Sequence, residues 1–137
     1  MSEDTVNEAA VLAGLDERES VTENLRLHGW LKNTDAADPY ELYGSDALDL
    51  KKIAGEQENW GEPIHPDLPY TPAQVVWAVR NEMARTVEDV LSRRTRALLL
   101  DARVSMEMAE PVAKLMADEL HRDEQWIQEQ VQEYTEL

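Results

Sequence analysis

No cysteine occurs in the 137 residues, so the chain can form no disulfide and offers neither a thiol nucleophile nor a thiolate metal site. Its setting is therefore expected to be cytoplasmic. Glycine is scarce as well: the five glycines lie far apart, and no phosphate-cradling loop can be built from them. The patterns G-x-G-x-x-G, G-x-x-x-x-G-K-[ST], H-E-x-x-H and G-x-S-x-G are all missing, which excludes a dinucleotide site of known type. No apolar run approaches the roughly 18 residues of a membrane-spanning helix, and the opening MSEDTVNEAA is acidic with no apolar centre, unlike a secretory signal. Basic residues are outnumbered, 13 Lys+Arg against 29 Asp+Glu. The resulting charge of -16 repels nucleic acid and anionic membrane surfaces, so neither is expected as a partner.

What remains is a hydrophobic share of 42% in a chain of one-domain length, enough for one modest core, and residues 1–137 are read as a single domain. The periodicity is helical throughout. The fold class is all-α, a small bundle of about five or six helices with an extended proline-rich arm. A first helix is predicted over about Asp4–Ala13, stopped by Gly14 in a left-handed conformation with Leu15 as its capping contact. Residues 16–43 are irregular, anchored by Val21, Leu25, Leu27 and Trp30, with a short extended piece near Val21–Thr22 and Leu25–Leu27. A second helix starts at a Ser45 cap, carries Asp46 in its first turn and Lys51 and Lys52 in its last, and stops at Gly55. Prolines at 63, 66, 69 and 72 then fix φ at every third residue and predict a polyproline-like arm, held to its own domain by Trp60, Ile64, Leu68 and Tyr70.

Thr71 as cap and Pro72 at the first helical position open the third helix. Val75, Val76, Val79, Met83, Val87 and Val90 recur at three- and four-residue spacing and predict one continuous central helix of around twenty residues, roughly 30 Å long. A fourth segment, Ala102–His121, is expected to bury Val104, Met108, Val112, Leu115, Met116 and Leu120, and to break near Glu110 because Pro111 cannot sit inside a helix. The last helix starts at Asp123 with Trp126, Ile127, Val131 and Tyr134 on one side.

Chemistry-bearing clusters are few. His28, His65 and His121 share no metal-ligand spacing, so no metal site is expected, and no catalytic carboxylate pair stands out among 29 acids. One basic island interrupts the acidic body: six arginines against four acids between Arg80 and Arg103. Arginine forks suit phosphate or carboxylate, so Arg93, Arg94 and Arg96 are candidates for anion binding. The plainer reading pairs them with neighbouring acids or with an adjoining domain. Glu82, Asp89, Arg93 and Arg96 fall along one side at helical spacing, and Asp89 and Arg93 have the favourable four-residue separation. Glu82, Arg85, Asp89, Arg93, Arg94 and Arg96 are therefore the candidate interdomain contact, and no catalytic, cofactor-binding or metal-ligating residue is assigned.

The blocks VTENLRLHGW (21–30), ELYGSDA (41–47), IHPDLPYTPAQVVWAVRNEMARTVEDVLSRRTRALLLDAR (64–103) and VAKLMADEL (112–120), followed by DEQWIQEQVQEYTEL, carry a resemblance across most of the chain. In order and spacing they resemble the C-terminal domain of bacterial FAD-dependent, quinone-linked glycerol-3-phosphate dehydrogenases. The resemblance implies a parent that oxidises the C2 alcohol of sn-glycerol 3-phosphate to dihydroxyacetone phosphate, with hydride passing to FAD and electrons to quinone. Flavin and substrate would sit in an N-terminal domain, the implied partner of this helical cap, and the cap alone would be silent. The implied location is cytoplasmic, with the parent peripheral at the membrane. Two alternatives stay open: a free-standing acidic helical interaction module, and the same domain of an oxygen-using glycerophosphate oxidase.

Overall fold

The computed structural model describes every residue except Met1, Glu17, Thr34 and Ala36, together with the backbone but not the side chain of Ser2. The described residues form seven α-helices and no strand: α1 Ser2–Ala13, α2 Ala47–Ala54, α3 Pro72–Asn81, α4 Ala97–Leu100, α5 Ala102–Glu107, α6 Ala109–Leu120 and α7 Glu124–Thr135, with a 3-10 segment at Glu41–Asp46 and a π-helical turn at Asp89–Arg94. The chain divides into two compact units, residues 1–30 and residues 31–137.

In the first unit α1 ends as its sequence dictates. Gly14 takes φ 64°, its N–H reaches the Val11 carbonyl at 3.1 Å, and the Leu15 N–H reaches the Ala10 carbonyl at 2.9 Å. That is the paired closure of a left-handed C-terminal cap. The remainder of the unit is irregular, and Arg26 stacks over the Trp30 ring at 4.1 Å. Two expectations fail here. Val21, Leu25, Leu27 and Trp30 are exposed rather than anchored, and the proposed extended piece is absent among the described residues. Its residues find no neighbouring strand to accept their backbone groups. Positions 17, 34 and 36 of the segment expected to be irregular lie outside the described residues.

In the second unit α3 is the central element. Every side chain from Ala73 to Val79 is buried, the pattern of a helix covered on all sides. One face, with Val75, Ala78 and Val79, joins Val87, Val90, Leu91, Val104, Met108, Val112, Met116, Ile127 and Tyr134 in the larger core. The opposite face sets Ala73, Val76 and Trp77 against Tyr40, Leu50 and Ile53. Tyr43 meets Trp77 edge-on with ring centroids 6.4 Å apart, and burial pushes its phenol up to about 12. The helix opens on the predicted Thr71–Pro72 pair. Gln74 completes a capping box by accepting the Thr71 N–H at 2.9 Å.

The structure corrects three boundaries. Ser45 does not cap α2: Asp46 occupies that position, without a side-chain capping bond, after the 3-10 segment. The proline segment is a looped arm rather than a polyproline helix. Leu68 N–H bonds to His65 C=O at 3.2 Å and Ile64 N–H to Tyr70 C=O at 2.8 Å, internal bonds that a polyproline helix lacks. Pro66 starts a tight turn, while Leu68, Ile64, Tyr70 and Trp60 pack on the cores as expected. The third correction is the largest. The predicted twenty-residue helix stops at Asn81, and Met83 turns left-handed at φ 59° with its side chain 78% exposed. Thr86 then starts a new helical segment, its hydroxyl accepting the Asp89 N–H at 3.2 Å while the Asp89 carboxylate accepts the Thr86 N–H at 3.1 Å. A second reciprocal cap has divided the stripe.

The break ahead of Pro111 is real but falls earlier. Met108 separates α5 from α6, and Pro111 lies in the first turn of α6, where a missing N–H costs little. Asp123 caps α7 by accepting the Trp126 N–H at 3.0 Å. The last helix packs on α6, and its buried Gln130 accepts the Val87 N–H at 3.1 Å.

Candidate interdomain surface

The segment from Glu82 to Arg103 leaves the core and returns to it several times, and each departure is held by a specific bond. Trp77 Nε1 donates to Glu82 Oε1 at 3.0 Å. The other oxygen, Oε2, faces Arg94 Nε at 3.3 Å, and Arg94 also donates to the Glu82 carbonyl at 2.6 Å. Arg85 takes no carboxylate partner among the described residues; its guanidinium caps the Val79 and Ala84 carbonyls at 3.2 and 2.8 Å. Arg93 bridges Asp89 and Glu88, both at 2.9 Å. Burial disfavours the charge on Asp89, but the N–H groups of Arg85 and Thr86, the Thr86 side chain and Arg93 outweigh that and hold its carboxyl below the ordinary aspartate range.

Asp89–Arg94 forms a π-helical turn because Thr95 closes it: its N–H and its hydroxyl both donate to the Val90 carbonyl, at 2.9 and 3.0 Å. Val90 and Leu91 are buried by this turn and Arg93 and Arg94 are exposed. The enclosed Ser92 hydroxyl has no hydrogen-bond partner among the described residues. Arg96 follows with φ 60° and ψ 23°, a left-handed conformation that costs a residue with a Cβ about 1–2 kcal/mol.

Of the six candidate residues, five are thus engaged inside the second unit. The expected Asp89–Arg93 pair is present, while Glu82 pairs with Arg94 rather than with a residue one helical face along, because the chain breaks between them. Arg96 is exposed and makes no ion pair among the described residues. Sequence reasoning passed over two exposed side chains three and four residues further on. Leu99 and Leu100 are 77% and 65% exposed, and the run of three leucines at 98–100 was the available signal.

Two clefts of the second unit have carboxylates in their walls: Glu88 and Glu133 in one, Glu110 and Glu124 in another. A pyrophosphate there would meet like charge with no glycine loop to offer N–H donors. Among the described residues no three His, Cys, Asp or Glu side chains could together hold a metal ion, and no helix is long and apolar enough to cross a membrane.

Comparison with known proteins agrees with this picture of a helical appendage. The family model of the C-terminal domain of alpha-glycerophosphate oxidase matches residues 7–127, and the chain belongs to that family. It is 31% identical to the mitochondrial glycerol-3-phosphate dehydrogenase of Rattus norvegicus over 98% of the chain and 21% of that protein. It is 30% identical to the Homo sapiens mitochondrial enzyme over 96% of the chain and 21% of that protein. To the glycerol-3-phosphate dehydrogenase of Synechocystis it is 32% identical over 69% of the chain and 17% of that protein. The matched region is about a fifth of the length of these curated relatives. No solved structure matches the chain.

Proposed function

We propose that residues 1–137 serve as one C-terminal accessory domain of an FAD-dependent glycerol-3-phosphate dehydrogenase, packed on the part of the polypeptide that binds flavin and substrate. The observation that carries this reading is the family match across residues 7–127, joined to near-complete coverage of the chain by glycerol-3-phosphate dehydrogenases. In the parent, oxidation of the C2 alcohol of sn-glycerol 3-phosphate would send hydride to FAD and electrons onward to quinone. This domain would contribute no reacting group. Its role would be support and contact, through the Glu82–Arg96 segment. The net charge of -16 favours an orientation in which the acidic body of this domain faces away from an anionic membrane, with the parent peripheral at the cytoplasmic membrane.

The test is expression of the whole polypeptide encoded by the gene, alongside the 137-residue chain. The whole polypeptide is expected to show flavin absorbance and to reduce a quinone analogue when given glycerol 3-phosphate; peroxide production instead would mark oxygen as the acceptor. The 137-residue chain is expected to be colourless and inactive. Stoichiometric flavin or turnover in that short chain overturns the reading. For the contact role, Arg93→Ala with Arg94→Ala in the whole polypeptide is expected to lower flavin retention and melting temperature. No change in stability, flavin content or turnover would sink it.

A further inference from the structure

His65 is held by two different elements at once. It opens the tight turn of the proline arm, which Leu68 closes by donating its N–H to the His65 carbonyl at 3.2 Å. Inside that turn the Asp67 N–H donates to His65 Nδ1 at 3.2 Å. A ring nitrogen that accepts a hydrogen bond carries no proton, so the imidazole is neutral and its one N–H hydrogen sits on Nε2. Nε2 faces Glu107 Oε2 on α5 at 3.2 Å, within reach of donating to it. The ring thus ties the arm to α5, with its side chain only 22% exposed. A second carboxylate stands beside it: Asp67 Oδ2 lies 3.9 Å from Nδ1. Arg103 approaches the other oxygen of Glu107, also at 3.9 Å. The ends of the turn are fixed, because Ile64 and Leu68 pack on the larger core and the Ile64 N–H is bonded to the Tyr70 carbonyl at 2.8 Å. Its tip, at Pro66 and Asp67, is what can move.

We propose that His65 is a proton-operated latch between the proline arm and α5: the neutral ring holds the turn at the Asp67 N–H, and the charged ring holds the Asp67 and Glu107 carboxylates instead. Protonation places a hydrogen on Nδ1, where it meets the Asp67 N–H, and two donors cannot share one bond. The backbone bond is given up, and the Asp67 N–H, which lies at the surface, passes to water. The new Nδ1–H turns to the Asp67 carboxylate, a closure of about 1 Å to an ordinary charge-assisted bond. The Nε2–H contact with Glu107 becomes charge-assisted as well, and so shorter and stronger than before. One proton is taken from solvent, and no other group changes its state. The tip of the turn shifts toward α5 while Ile64 and Leu68 stay seated. This inference goes beyond the accessory-domain reading and stands or falls separately from it.

The experiment is an NMR titration of the isotope-labelled 137-residue chain from about pH 8 to about pH 5, the interval in which a histidine changes charge. At the upper end the ring nitrogens of His65 are expected to show the hydrogen on Nε2 and a bare Nδ1. Across the interval the Asp67 amide signal is expected to move with the same midpoint as the His65 ring, as its acceptor changes from nitrogen to water. His65→Asn offers the Asp67 N–H a side-chain carbonyl that never titrates, the acceptor of an Asx-turn, and is expected to abolish that step. His65→Lys, cationic and without an acceptor, is expected to hold the Asp67 amide near its low-pH position throughout. A neutral ring with its hydrogen on Nδ1 overturns the proposal. So does an Asp67 amide that ignores the protonation of the ring, or a step that survives in His65→Asn. The titration of the unsubstituted chain decides by itself, so a variant that failed to fold would not shield the latch from refutation.

Discussion

Leu12, near the end of α1, is 88% exposed, and Val6, Val11 and Leu15 around it are all more than half exposed; Leu50 and Leu91, in residues 31–137, are fully buried. Both regions have apolar residues at helical spacing, and only one encloses them. The difference lies in what surrounds the helix. From Tyr40 onward each apolar stripe meets another: α3 packs on α2 and on α6, and α6 on α7. Residues 2–30 contain one helix and an irregular tail, so the stripe of α1 has no second stripe within its own unit to cover it. An amphipathic pattern creates a demand for burial, and tertiary context decides whether that demand is met.

Substitutions can break or sharpen this contrast. The largest effect is expected from Leu91→Ala, which removes a fully buried side chain and costs about 2–5 kcal/mol, whereas Leu12→Ala is expected within about 0.5 kcal/mol of the parent chain. Urea unfolding of the two variants checks the pair, and equal costs would abolish the distinction between the regions. Next comes Gln130→Leu, which leaves the Val87 N–H buried without its acceptor and is expected to cost about 1–3 kcal/mol, read from the same unfolding curves. Arg80→Ala should do less. Arg80 joins Glu56 at 3.0 Å and Glu119 at 2.7 Å, and its hydrogen bonds to Glu119, assisted by Glu56, hold the guanidinium pKa up. The group is 37% exposed, however, so water screens it and about 1 kcal/mol or less is expected, shrinking further with added salt.

The smallest expected effect is a pH dependence. Asp89 has its folded pKa held below the ordinary value of 3.8, so the unfolded chain takes up that proton first as pH falls. Its contribution is fully present above 3.8 and disappears as pH drops through the lower folded value. Asp89→Asn should therefore be less stable than the parent at neutral pH and lose less on acidification. Urea midpoints measured from about pH 5 downward would expose a failure if the two slopes coincided.

How much of this was legible before the structure depends on the kind of signal. Gly14, the Thr71–Pro72 start and the Asp123 cap are local instructions, and each folded where its chemistry said. The break at Asn81 was also written locally, in the Thr86-Val-Glu-Asp89 cap, but the valine spacing on either side ran through it and hid it. Proline spacing misled in the opposite direction: it suggested an extended arm, yet the bonds from Leu68 N–H to the His65 carbonyl and from Ile64 N–H to the Tyr70 carbonyl fold it into a turn. For the candidate surface, composition located the basic island, and four-residue spacing named the Asp89–Arg93 pair. It could not reveal that Arg94 reaches back to Glu82 across a break, nor that Leu99 and Leu100 stay uncovered. Those facts depend on where the chain turns left-handed, at Met83 and Arg96, and neither residue type announces it.

The bond between Gln130 and Val87 joins positions 43 apart in sequence, and Ser105 and Tyr134, 29 apart, share a hydroxyl contact of 2.6 Å. Both are closed by α7. During synthesis the middle of the chain therefore leaves the ribosome well before the groups that complete it, and residues 31–137 can reach their final packing only after translation has passed Tyr134.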